Sequence, residues 1–275
     1  MRWLLSLLAL GLLTSCAHKD DGLANKISTV RGFCDEWGSR ACNDKVVNLC
    51  SAASKNDCIE TQQSFCESLI PEDKYSPKTA LDCLGAVEDA YKDGVLTADE
   101  RDTVMALANA CDKILSGPGT AGKSCAADSD CNRDEELACI KKNSATGKCQ
   151  VPTSPPVGGG FSCSAEEAVC TDGFYCDGDN CLAEKTQGDD CSAILPCDAA
   201  SHCLDADGKL VAVGSSADGG AAKGTCVARK AVGGSCTTDD DCTSRICSPK
   251  AGSTSGVCSS QISLSPSDQV CTNLQ

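Results

Sequence analysis

The sequence predicts a small disulfide-rich protein, with disulfide-linked all-α hairpins first and then a string of cysteine-knot-like modules with little regular structure. Three observations carry this expectation. Cysteine occupies 25 of 275 positions. Two Trp, three Tyr and four Phe are the whole aromatic complement, and none follows Cys176. A chain of this length normally fills its cores with such residues, so cross-links must replace oily packing. The cysteine grammar also changes along the chain, from an even eight-residue interval between Cys34 and Cys66 to four-cysteine groups from Cys125 onward.

The charge balance, 24 basic against 39 acidic residues for a net −15, offers no basic face to a phosphate backbone and so excludes nucleic acid as a partner. At the start, Arg2 precedes ten apolar-rich residues, Leu4 to Leu13. Ten residues are too few to span a bilayer as a helix but suit the apolar region of a signal peptide. The stretch closes on Leu13-Thr14-Ser15-Cys16, which resembles a bacterial lipobox. That resemblance implies a signal peptide over 1–15, acylation of Cys16 and a tether over 16–22, with the membrane contacted through the lipid. More than one acyl chain makes such an anchor stable. Ala17 rather than Asp follows, and the family's sorting rule then implies the bacterial outer membrane or cell surface. An ordinary secretory cleavage is the competing reading. Setting Cys16 aside leaves an even 24 cysteines that can pair completely in an oxidising compartment, which favours the lipobox.

Residues 23–115 read as helical. Neighbours eight residues apart on one helix lie about 12 Å apart, too far to bridge. Folding the chain about Ala53-Ser54-Lys55-Asn56 instead faces Cys50 with Cys58 and Cys42 with Cys66. Because eight residues advance a helix about 80° beyond two turns, a bend is expected near Asn43-Asp44. A second hairpin follows: Ser76-Pro77 opens a helix, Lys78 to Lys92 and Thr97 to Leu115 carry apolar residues at helical spacing, and Cys83 pairs with Cys111 across the turn at Gly94. Elimination leaves Cys34 to pair with Cys271.

Beyond Ser116 the chain reads as four modules: 116–150, 161–184, 188–228 and 233–259, then a tail over 260–275. Each opens with a glycine three residues before its first cysteine (Gly122, Gly160, Gly188, Gly233), and the cysteines run Cys125/131/139/149, Cys163/170/176/181, Cys191/197/203/226 and Cys236/242/247/258. Four cysteines allow three connectivities, and spacing does not choose among them. The first and last modules read Cys125-Ala-Ala-Asp-Ser-Asp-Cys131 and Cys236-Thr-Thr-Asp-Asp-Asp-Cys242. This resembles the Dickkopf-type N-terminal cysteine-rich repeat, also found in myxobacterial-like surface lipoproteins. The middle two modules lack the Asp-Cys pair.

Asp89 to Glu100 has the length of an EF-hand loop, with Asp89, Asp93, Val95, Thr97 and Glu100 at ligating positions and Gly94 at the turn. A helix stop at Gly94 followed by a Thr97–Glu100 capping box explains part of the same pattern without calcium. Tyr91 stands where a third acid belongs. Asp205-Ala-Asp207 and Asp177-Gly-Asp179 read as turns. No cofactor other than this possible Ca2+ is expected. Two histidines, His18 and His202, remain in the mature chain, and no Cys-x-x-Cys or nucleophile triad occurs, so catalysis is not expected. The functional expectation is a cell-surface lipoprotein with a binding, adhesive or scaffolding role toward an extracellular or envelope protein or polysaccharide. A secreted protease inhibitor presenting Leu204 to Gly224, or a weak calcium-binding surface protein, is the alternative, and a secreted enzyme is less favoured.

Overall fold

The structure, a computed structural model, describes residues 20–142, 144, 146–192, 194–211, 223–249 and 253–274. Cys16 and His18 lie outside them. The helical region starts with α1 (Asp20–Lys26) and α2 (Val30–Ala41), the latter capped by Thr29, whose side chain accepts from the Gly32 N–H. The expected bend is present: Asn43 accepts from the Lys45 and Val46 N–H groups and so starts a separate short helix, α3 (Asp44–Leu49). Its amide also donates to the Tyr91 carbonyl at 2.8 Å, tying the bend to the second hairpin. After Ser54, which caps it, α4 (Lys55–Leu69) runs back along α2. Gly38 permits that approach, since a Cβ there would sit 2.8 Å from the Ile59 carbonyl oxygen.

Three disulfide expectations are overturned here. Cys42 bonds Cys58, not Cys66; Cys34 bonds Cys66, not Cys271; and Cys50 bonds Cys271, not Cys58. The hairpin folds four residues earlier than the spacing suggested, because α3 occupies the bend and carries Cys50 out of the α2–α4 seam. Moving the fold point by four residues slides each partner on α4 by eight, one full cysteine interval, so the even spacing is met in either register.

The second hairpin consists of α5 (Ala80–Tyr91), the short strand β1 (Val95–Leu96) and α6 (Ala98–Ala106). Cys83 and Cys111 are bonded, with Cα atoms 4.5 Å apart. The helix expected over Thr97 to Leu115 ends early: Leu107 adopts a left-handed φ of 52°, and residues 109–114 form a 3-10 helix. The Asn109 side chain holds this turn by donating to the Asp99 carbonyl. Phe33, Trp37, Leu84, Val87, Tyr91, Leu96, Val104 and Ile114 are fully buried with the cysteines of this region.

The modules contain more regular structure than expected. Module 1 is a small antiparallel sheet of β2 (Ser124–Cys125), β3 (Ala138–Ile140) and β4 (Gly147–Gln150), with β4 central. Module 2 pairs β5 (Phe174–Cys176) with β6 (Cys181–Ala183). Module 3 has β7 (Asp190–Ser192), β8 (Ser201–Leu204) and β9 (Lys223–Ala228), with β9 central. Module 4 has β10 (Ser235–Cys236), β11 (Cys247–Pro249) and β12 (Gly256–Cys258), with β12 central. In all four the first cysteine bonds the third and the second bonds the fourth.

The repeat extends to the backbone. Gly122, Gly160, Gly188 and Gly233 take φ values of +80 to +92°, and each donates its N–H to the carbonyl of the fourth cysteine at 2.8 Å. Only glycine adopts that conformation at no steric cost. Six residues before each first cysteine, Gly119, Val157, Lys185 and Lys230 form an isolated parallel bridge to the second cysteine itself. This pairing is a backbone device, which is why unlike side chains serve at one position.

The last segment returns to the helices. β13 (Ile262–Ser263) pairs with β1, and α7 (Gln269–Thr272) carries Cys271 to Cys50. Leu264, Val270 and Leu274 are buried in the helical core.

Candidate functional site

The loop between α5 and α6 is held by its own hydrogen bonds. Asp89 lies in the last turn of α5, where its carbonyl accepts from the Lys92 N–H. The Asp93 carboxylate accepts from the Val95 N–H at 3.1 Å. The Glu100 carboxylate accepts from both the N–H and the hydroxyl of Thr97 at 2.8 Å, and Thr97 Oγ1 accepts from the Glu100 N–H. Val95 lies in the ladder with Ser263. Tyr91 is fully buried in the core, so the third ligand position is turned away from the loop, and burial pushes its hydroxyl pKa upward. Among the described residues these acids do not form a group of three ligand atoms within 4.8 Å of one another; the groups that do are cysteine trios, one in each module, and all of those sulfurs are in disulfides. No thiolate in them is free to bind a metal.

The turn readings hold for the two Asp-x-Asp stretches. Asp205 Oδ1 accepts from the Asp207 and Lys209 N–H groups, and Asp177 Oδ1 from those of Asp179 and Asn180. His202 is buried, and its Nδ1 sits 2.7 Å from the Asp240 carbonyl, where it joins module 3 to module 4.

The Asp residues of modules 1 and 4 organise their own loops. Asp128 and Asp239 accept from the N–H of the third cysteine at 2.7 Å. Asp130 and Asp241 accept from the two N–H groups after the first cysteine. The Lys74 ammonium, 2.8 Å from Asp130, together with those N–H donors holds the Asp130 carboxyl down to about 2. Between modules 2 and 3 the electrostatics oppose. Burial first, then Asp198 and Asp172, push the Glu184 carboxyl above its ordinary range.

Both ends of the module string dock on the helices. Module 1 is held by Lys74–Asp130, by the Ser76 hydroxyl donating to Asp134 and by Arg133–Asp112 at 3.2 Å. Module 4 is held by Arg101–Asp239 at 2.6 Å and Arg245–Asp102 at 2.7 Å. No protein-family model, curated protein or solved structure matches this chain.

The closure has two features that spacing did not reveal. Gln62 is fully buried; it accepts from Trp37 Nε1 at 2.9 Å and donates to the Asn273 carbonyl, so one amide joins both helices of the first hairpin to the tail. Where α6, module 4 and the tail meet, a groove of about 790 Å3 opens, lined by residues of all three segments. The apolar Cys58, Ile59, Phe65 and Cys66 three and four residues to either side of it were the available signal for Gln62; nothing local marks the groove.

Proposed function

We propose that the chain is a lipid-anchored, non-catalytic protein of the bacterial outer membrane or cell surface, in which four disulfide modules form a rigid frame that binds an extracellular or envelope partner. The carrying observation is that all 24 cysteines from Cys34 to Cys271 are in twelve bridges, with the same connectivity in every module. Such a frame persists only in an oxidising compartment. The single cysteine left over is the one in the lipobox-like stretch, which supports acylation as its role. Structural bridges constrain the unfolded chain by typically 2–4 kcal/mol each, so a chain poor in aromatics can present fixed loops without a large core.

The test is expression in a bacterium with metabolic palmitate labelling and mass analysis of the N-terminal peptide. The expected result is label on Cys16 and membrane fractionation, both lost in Cys16→Ala. A protein that is unlabelled and fractionates in the same way with Cys16→Ala would overturn the anchored reading.

A further inference from the structure

The groove at the closure has a lining that selects a class of ligand. Its charged groups are already engaged: Arg101 contacts Asp239 and Asp102, and Asp268 accepts from the Ser265 N–H and hydroxyl. Ser248, Gln261, Ser263 and Gln269 line the same groove, and their side chains make no hydrogen bond to another described residue. Each of these four groups can both donate and accept. Met105, Ile262 and Pro249 supply apolar wall between them. Its size lies within the range of roughly 300–1,000 Å3 usual for small-molecule sites.

We propose that this groove binds a neutral oligosaccharide, such as a segment of an uncharged envelope polysaccharide. Sugar hydroxyls, like the free side chains, donate and accept together, and the C–H faces of sugar rings match the apolar wall. The lining leaves no unpaired cation for an acidic sugar, while Asp268 would repel one. A peptide is served less well. Strand β11 forms the sheet edge beside the groove, but it has three residues and ends in Pro249, which has no N–H to donate. The groove therefore lacks the row of backbone partners that strand addition uses. This proposal rests on the envelope reading and names the ligand class for it.

The experiment is amide-resonance mapping of the full oxidised chain with maltotriose, cellotriose and chitotriose, with trigalacturonate as the acidic comparator and an uncharged Gly-Ala-Ser peptide as the protein-like one. At least one neutral trisaccharide should shift residues 246–249 and 261–269 saturably, while trigalacturonate should not. The exposed pair Gln261→Ala and Gln269→Ala should weaken that binding about tenfold, the loss of two hydrogen bonds of ordinary worth, with an unchanged melting temperature. Silence toward all three sugars, saturable binding unaffected by the double variant, or stronger shifts from the peptide would overturn the assignment. A chain that is acylated at Cys16 yet silent toward sugars would refute this proposal and leave the envelope reading standing.

Discussion

Removing the Cys50–Cys271 bridge is the sharpest perturbation of this architecture. The bridge spans 221 residues, and its Cα atoms lie 5.0 Å apart. Chain-entropy arithmetic for a loop of that length gives about 5 kcal/mol at 25 °C. The bridges inside the loop shorten it, but the dependence is logarithmic, so the figure barely moves. A short-loop comparator is Cys236–Cys247, separated by 11 residues, for which the same arithmetic gives about 3 kcal/mol. Both Cys50 and Cys271 are fully buried, so alanine rather than serine is the replacement that avoids an orphaned hydroxyl. The Cys50→Ala, Cys271→Ala chain should still fold, because Gln62, Leu274 and the β1–β13 pairing continue to hold the tail. Guanidinium unfolding without reductant, followed by far-ultraviolet ellipticity of the helices, should show a loss nearer 5 than 3 kcal/mol. A loss below about 1 kcal/mol, or one no larger than that of Cys236→Ala with Cys247→Ala, would refute the claim that the tail clasp constrains the whole chain.

Gln62→Leu should destabilise by about 2–4 kcal/mol, since it strands the Trp37 N–H and the Asn273 carbonyl without partners, and a change in Trp37 fluorescence should report the altered tail contact. The Asp130 carboxyl is held below its unfolded range, so its contribution is complete above about pH 4 and is lost as pH falls toward 2; because the Lys74–Asp130 pair is about one-third exposed, the loss is about 1 kcal/mol, and Asp130→Asn should abolish that part of the acid titration. Millimolar calcium should leave the melting temperature unchanged, because Glu100 is engaged by Thr97 and Tyr91 is turned into the core; a clear upward shift that Asp93→Asn removes would reinstate a calcium loop.

Individual residues show how far local reading reaches. Ser76, Asn43 and the Thr97–Glu100 box all act as caps, because a cap is satisfied within three residues of itself. Cys83 meets Cys111 because the turn between them is marked by Gly94. The groove was not legible: Ser248, Gln261, Ser263 and Gln269 look like ordinary surface residues, and only the return of the tail onto α6 makes them one lining.

Sequence alone determined the four-module repeat, down to the glycine three residues before each first cysteine, because a fixed cysteine interval and a positive φ are short-range constraints. Tertiary structure decided the register of the first hairpin and the partner of Cys50. Because the cysteines recur every eight residues, moving the fold point by four lands each one opposite another cysteine, so the spacing does not choose between the registers. The choice is made by where α3 sits and by Val270, Leu274 and the Gln62 amide packing against a core laid down some two hundred residues earlier.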